Sequence, residues 1–332
     1  MDNIDWCYDI LGDVSRTFEI PITNLEKPVS DYMCVGYLLC RIPDTIEDSP
    51  SIPTDTKEEL LDMYIEVMNG NVQSEEFEEA AMDSKPGDVL EPDHWRLVED
   101  TGKVMNVFNT FPDSERNSIT KYVLEMVNGM KKFVSEHDGS IRIKDMSEFE
   151  EYCYYVAGTV GHMISSIDFE DDSERVHDLA ENYGLLLQSV NIAKDVHGDY
   201  HEENNIYLPS DKLSEYGVEQ DLLLDEENVN DTDKVLKYII NYAEDKTDEA
   251  REYIRRTAEE NGLTHMHSWA IPYFLAVATL RELNQNSERA LREGGVKITR
   301  EEVGQILMEG RNVESGDLAD FEEKIQDGAF AP

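Results

Sequence analysis

The spacing of apolar residues is the strongest constraint on what this chain can fold into. From Val176 they recur at Leu179, Tyr183, Leu186, Leu187, Val190 and Ala193, the three-and-four spacing that lays one apolar stripe along a helix. Val235, Tyr238, Ile239, Tyr242 and Ala243 repeat it, with Asp231 or Thr232 as an N-cap and Gly262 as a stop. Residues 30–48, 117–135 and 269–285 read the same way, and no segment shows convincing strand alternation. The expectation is an all-α fold. With no tandem repeat and no composition break, it forms one domain over residues 1–332. Residues 69–93 hold eight acids, two prolines and two glycines, and read as an acidic surface excursion. The tail after Arg311 reads as mobile.

Charge limits what such a bundle binds. Asp and Glu number 73 against 29 Lys and Arg, a formal net charge of −44. Nucleic-acid binding is excluded, because it rests on a positive face that neutralises phosphates. A negative membrane leaflet is equally unsuited. At ordinary ionic strength −44 repels itself strongly, whereas in molar salt the Debye length is ~3 Å. The composition therefore predicts a protein from a salt-in halophile. An acidic disordered chain would lack the 16 Tyr, 10 Phe and 3 Trp found here. The longest nearly apolar run, Trp269 to Leu280, has 12 residues, against the ~20 that span a bilayer. The first residues lack the basic and apolar regions of a signal peptide, and the four cysteines form no CxxC pair. These features predict a cytoplasmic chain with reduced thiols and no transmembrane anchor.

Two carboxylate pairs stand out by position. Asp44 and Asp48 end one apolar helix, and Asp195 and Asp199 end another. At i and i+4 both members lie on one helix face, close enough to share Mg²⁺, which takes one or two carboxylates plus substrate phosphates. The same spacing arises at Asp9/Asp13, Asp168/Asp172 and Asp221/Asp225, so spacing alone does not choose. Gln188, Asn191, Asp195 and Asp199 form one polar stripe, either site-lining or solvated. His197 and His201 lack the glutamate of a zinc HExxH helix, and no dinucleotide, P-loop or nucleophile-elbow motif is present.

Further blocks occur in order over roughly residues 15–300. They are Ser15-Arg16-Thr17-Phe18, Asp44-Thr45-Ile46-Glu47-Asp48, Asn128-Gly129-Met130, Tyr152 to Gly161, Gln188 to Asp199, Ala270-Ile271-Pro272 with Ala278-Thr279-Leu280, and Val296-Lys297-Ile298. In this order the chain resembles the squalene synthases and, more loosely, the wider head-to-head prenyl synthases that include phytoene synthase. The resemblance implies an isoprenoid-synthase fold, an all-α bundle around one deep cavity with both acidic motifs at its mouth. It implies two farnesyl diphosphates as substrates and Mg²⁺ and NADPH as cofactors, with condensation through presqualene diphosphate to squalene and a transient membrane contact for product release. Asp44, Glu47, Asp48, Asp195 and Asp199 match the Mg²⁺-diphosphate ligands. Tyr152 matches the tyrosine that takes the proton as the cyclopropane closes. Ser15, Arg16, Phe18, Tyr37, Arg41, Gln188 and Asn191 match substrate contacts; Arg16, Arg41, Lys194 and Lys297 match contacts to NADPH and diphosphate. The chemistry suits the residues. Carboxylates hold a diphosphate only through a cation, and burying a C15 chain is worth up to roughly 10 kcal/mol.

The chain also departs from the pattern. Lys194 stands where squalene synthases carry arginine and loses the bidentate fork. Thr299 falls in a segment that is usually basic, Asn204-Asn205 replaces a Gly-Arg pair, and no apolar anchor helix precedes Pro332. The DTxED form and the AIP…ATL block point to squalene synthase, whereas Ile206-Tyr207-Leu208-Pro209 is the carotenoid-type ending. Two alternatives stay open: a phytoene or dehydrosqualene synthase without the reductive step, and a non-catalytic acidic protein that binds divalent cations.

Overall fold

The apolar stripes become helices. The computed structural model describes residues 3–15, 17–87, 91–169 and 173–331; among them there is no strand, and the one β-type pairing is an isolated bridge between Arg142 and Ile206. The Val29–Glu47 helix buries Met33, Leu38, Leu39, Ile42 and Ile46, and so runs through the interior rather than along the surface. Pro43, inside its last turns, has no N–H to give the carbonyl four residues back. That carbonyl belongs to Leu39, and the buried Tyr64 hydroxyl donates to it at 2.6 Å. Polar satisfaction thus locks the first acidic motif onto the next helix.

The Glu174–Gly198 helix lies at the centre, packed against Thr159–Asp168, Val229–Glu244, Thr247–Asn261 and Leu263–Arg292. Two crossings are too close for any side chain. A Cβ on Gly161 would stand 2.3 Å from the Ala180 carbonyl oxygen, and one on Gly184 would stand 2.4 Å from that of Ala157. Two π-helical turns interrupt the α-helices, at Tyr154–Gly158 and Asp199–Glu203. Each adjoins a motif residue, as such turns often do at functional sites. Asn204 closes the second in the left-handed region at φ 59°, which asparagine tolerates. Its side chain and carbonyl take hydrogen bonds from Arg142.

Two acidic segments carry helices that their composition did not suggest. Within residues 69–93, Ser74–Ser84 forms a helix that buries Phe77 and Ala81; residues 88–90 lie outside the described residues. After Arg311, Leu318–Gln326 forms a helix that buries Leu318, Phe321 and Ile325. Arg281 donates to the Ile325 carbonyl at 2.9 Å and to Glu302 at 2.6 Å, and Tyr273 donates to Glu322 at 2.6 Å. Hydrogen bonds from Arg281 and Tyr273 of the Leu263–Arg292 helix hold this segment down. No helix among the described residues is long and apolar enough to cross a membrane.

Asp168 joins three helices. Its fully buried carboxylate accepts from Trp269 Nε1 at 2.9 Å and pairs with His265 Nδ1 at 2.5 Å, and its carbonyl accepts from Asn261. The hydrogen bond to Asp168 raises the His265 pKa above its ordinary 6.5, against the opposing effect of burial. A raised folded-state pKa stabilises fully below the unfolded value and is lost as pH climbs through the folded one. The stability gap between wild type and His265→Gln, read by chemical denaturation, is therefore expected to be larger at pH 6 than at pH 8.5. Asp168→Ala strands both partners and is expected to cost about 3–5 kcal/mol.

Candidate active site

A cavity of about 380 Å³ opens between the two motif-bearing helices, and Asp44, Asp48, Asp195, Asp199 and Glu203 line it together. Farther in, the wall is Met33, Met163, Leu187, Tyr183 and Trp269. Tyr183 precedes Asp195 by 12 residues on one helix, about 18 Å at ~1.5 Å per residue. The site is thus a polar mouth on a long apolar barrel. Tyr183 fixes the inner end by donating to the Trp269 carbonyl at 2.6 Å.

At the mouth, Asp44, Glu47 and Asp48 each bring an oxygen within 4.8 Å of the others. Burial, then Glu203, Asp44 and Asp199, push the Asp48 carboxyl well above the usual range. Burial and Asp195 do the same to Asp199. Glu203 is pushed up to about 8 by burial, Asp199 and Asp44. Residues of both motifs line the one cavity, and these effects cross from one motif to the other. Glu47 is 2% exposed, and neither carboxylate oxygen has a hydrogen-bond partner. It does not line the cavity. Behind it the buried Lys57 ammonium donates to the Glu47 carbonyl at 2.5 Å and to that of Gly139 at 3.2 Å.

The cations of the mouth are paired with its acids. Arg41 lines the cavity and pairs with Asp44. Burial opposes its charge, but Asp44, Tyr37 and Asp48 outweigh burial and raise its pKa. Lys194 pairs with Asp195. Lys297 is exposed and off the cavity wall, yet its segment lies on the second motif: Val296 N donates to the Lys194 carbonyl at 3.2 Å. Gly295, at φ 111°, leaves room beside Asp195 Oδ1, 3.3 Å from where a Cβ would stand. Phe18 and Tyr37 line the wall with rings 5.5 Å apart. Gln188 and Asn191 also line it, Asn191 remaining exposed, so their stripe runs along the cavity. Ser15 is buried off the wall, and its Oγ accepts from Phe18 N at 3.1 Å. Arg16 lies outside the described residues.

Tyr152 lines the cavity with its hydroxyl 3.1 Å from that of Tyr207, the rings stacked at 4.9 Å. Asn205 orients Tyr207 by donating to its oxygen at 3.2 Å, while its own amide oxygen accepts from Ile141 N at 2.9 Å. The Asn204-Asn205 departure therefore has a structural use: one residue turns the chain and the other places a tyrosine. Burial holds both phenols well above their ordinary pKa.

Comparison with known proteins now decides the family. The squalene/phytoene synthase family model matches residues 11–302. The chain belongs to the squalene/phytoene synthase family. It is 26% identical over 321 residues to the squalene synthase of Schizosaccharomyces pombe, covering 94% of this chain and 66% of that protein. It is 30% identical over 314 residues to squalene synthase clz20 of Cochliobolus lunatus, covering 91% and 71%. The chain thus spans about two thirds of the length of these relatives. The solved structure of TcSQS with the ligand BPH1237 superposes with a TM-score of 0.81 at 24% identity, covering 98% of this chain and 90% of that one. This likeness shows the fold.

Sequence reasoning within this squalene/phytoene synthase family member missed Glu203, Tyr207 and Lys57. Glu203 continues the i, i+4 series of Asp195 and Asp199 and was legible in principle, but in a chain with 73 acids that signal is weak. Lys57 carries no signal, because nothing local distinguishes a buried lysine from a solvated one. The facing motifs predict where divalent cations bind. In a calorimetric Mg²⁺ titration, Asp44→Asn/Asp48→Asn should abolish the binding seen in wild type. Asp9→Asn/Asp13→Asn, on exposed residues outside the cavity, should leave it unchanged.

Proposed function

We propose that this chain is a squalene synthase that joins two farnesyl diphosphates head to head, using Mg²⁺ and NADPH. The observation that carries the reading is the convergence of both acidic motifs on one mouth of an apolar cavity. The donor set suits Mg²⁺: hard carboxylate oxygens, drawn from two helices, half-buried and mutually repelling. When bound, Mg²⁺ supplies the positive charge that lets carboxylates hold a diphosphate and stabilises it as a leaving group. Asp44 and Asp48 on one side, and Asp195 and Asp199 on the other, would hold it. Glu47, off the cavity wall but with an oxygen within 4.8 Å of those of Asp44 and Asp48, would complete that carboxylate cluster.

The remaining roles belong to the chain's own groups. Arg41 and Lys194 sit within reach of a diphosphate and exchange their carboxylate partners for its oxygens. Phe18, Tyr37, Tyr183 and Trp269 present aromatic faces that stabilise allylic cations by ~1–2 kcal/mol each and exclude the water that would quench them. Tyr152, kept protonated by burial, would receive a proton at Oη only as it passes its own to an oxygen of the released diphosphate, and Tyr207 Oη, 3.1 Å away, holds the Tyr152 hydroxyl in place. NADPH supplies hydride for the reductive step. Lys194 and Lys297, brought to one side of the second motif, are the cations that suit its phosphates.

A second reading, dehydrosqualene or phytoene synthase, has its own support. Thr299 caps the Arg300–Gly310 helix by accepting from Glu302 N at 3.2 Å, which is a structural duty rather than a cofactor contact. The test is incubation with farnesyl diphosphate and Mg²⁺ in ~3 M KCl, where the Debye length is short, with and without NADPH and mass analysis of the extract. Squalene formed only with NADPH is the expected result. Dehydrosqualene made regardless of NADPH establishes the second reading, and inert farnesyl diphosphate contradicts the first. In the same assay Tyr152→Phe should lower turnover by about 10²-fold or more while Mg²⁺ binding persists.

A further inference from the structure

The acidic motifs do not account for what surrounds Arg41. Its Nη2 lies 3.3 Å from His94 Nδ1 and 3.9 Å from a Glu91 carboxylate oxygen, and that oxygen is 2.6 Å from the same Nδ1. At 2.6 Å from a carboxylate, Nδ1 must carry its proton and donate. Arg41 only donates. Two largely buried donor side chains, 9% and 27% exposed, therefore converge on an oxygen of one that is 64% exposed. Arg41 Nε, also buried, has no hydrogen-bond partner. The guanidinium has more donors than the protein has acceptors for it, on a residue that lines the cavity mouth.

We infer that Arg41 and His94 form an anion subsite for a diphosphate at the cavity mouth, and that Glu91 is its resident internal anion, displaced when the diphosphate arrives. The inference rests on the site reading above and adds His94 as a binding residue and Glu91 as a competitor. The chemistry is matched on both sides. A planar guanidinium and an imidazole N–H make the charge-assisted contacts that phosphate oxygens accept. An exposed carboxylate is held too weakly to block a more highly charged ligand.

The test is calorimetric binding of inorganic diphosphate with Mg²⁺ to the purified chain in molar KCl. Glu91→Ala should tighten binding about two- to fivefold, the worth of an exposed ion pair. Asp93→Asn, the loss of a nearby exposed acid, should change nothing, because long-range repulsion is screened. His94→Ala should weaken binding about tenfold or more and diminish the gain from Glu91→Ala when the two are combined. His94→Gln, which restores an N–H donor, should recover part of the loss and guards against a folding defect. Unchanged or weaker binding by Glu91→Ala, or full binding by His94→Ala, overturns this inference alone. A wild type that binds no diphosphate overturns the site reading as well.

Discussion

Carboxylates drawn from two helices into one half-buried cavity mouth repel one another, and much of the structure offsets that repulsion. Glu203 and Asp199 push the Asp48 carboxyl up across the cavity mouth, and Asp44 and Glu47 push Glu203 up in return. Burial removes the water that would otherwise screen them. The chain answers with few cations, each in a determined place: Arg41 on Asp44, Lys194 on Asp195, Lys57 behind Glu47. Together these leave the mouth net negative, and the deficit is the room a divalent metal would fill. The geometry behind the motifs serves to keep that arrangement from relaxing. Tyr64 holds the Leu39 carbonyl that Pro43 frees, and the glycine crossings at Gly161 and Gly184 draw the central helices together.

The few basic residues of this chain also explain how so acidic a protein keeps a defined interior. Arg281 with Glu302 is almost fully buried, and Arg251 joins Tyr273 on Glu322. Such pairs add little net stability over an apolar substitute, but here Arg281 ties the long Leu263–Arg292 helix to Arg300–Gly310, and Arg251 of Thr247–Asn261 and Tyr273 of the long helix both hold Glu322 of the last helix. The same long helix carries Trp269, whose indole is fixed by Asp168 and whose carbonyl is fixed by Tyr183. One set of polar contacts therefore positions both the inner end of the cavity and the C-terminal segment.

Long periodic stripes made the all-α fold legible, and motif order made the mouth legible. Asp44 and Asp48 could be separated from Asp9 and Asp13 because they end an apolar helix, and the structure brings them opposite Asp195 and Asp199. Short elements were less readable. Ser74–Ser84 buries only Phe77 and Ala81, too few positions to define a period amid so many acids. Leu318, Phe321 and Ile325 do carry helical spacing, but acidic composition outweighed it in the reading of the tail. Glu203, Tyr207 and His94 depend on tertiary placement. A π-helical turn re-aims the first, Asn205 orients the second, and Arg41 gives meaning to the third, none of which appears in a linear pattern.

The central claim is that the two acidic motifs hold metal and diphosphate jointly. A crystal structure of the protein with Mn²⁺ and inorganic diphosphate, read by anomalous scattering, tests it most directly. The account predicts Mn²⁺ peaks confined to the cavity mouth, on Asp44 and Asp48 and on Asp195 and Asp199, with one diphosphate bridging them. Peaks scattered over surface carboxylates, with the mouth free of metal, would contradict it.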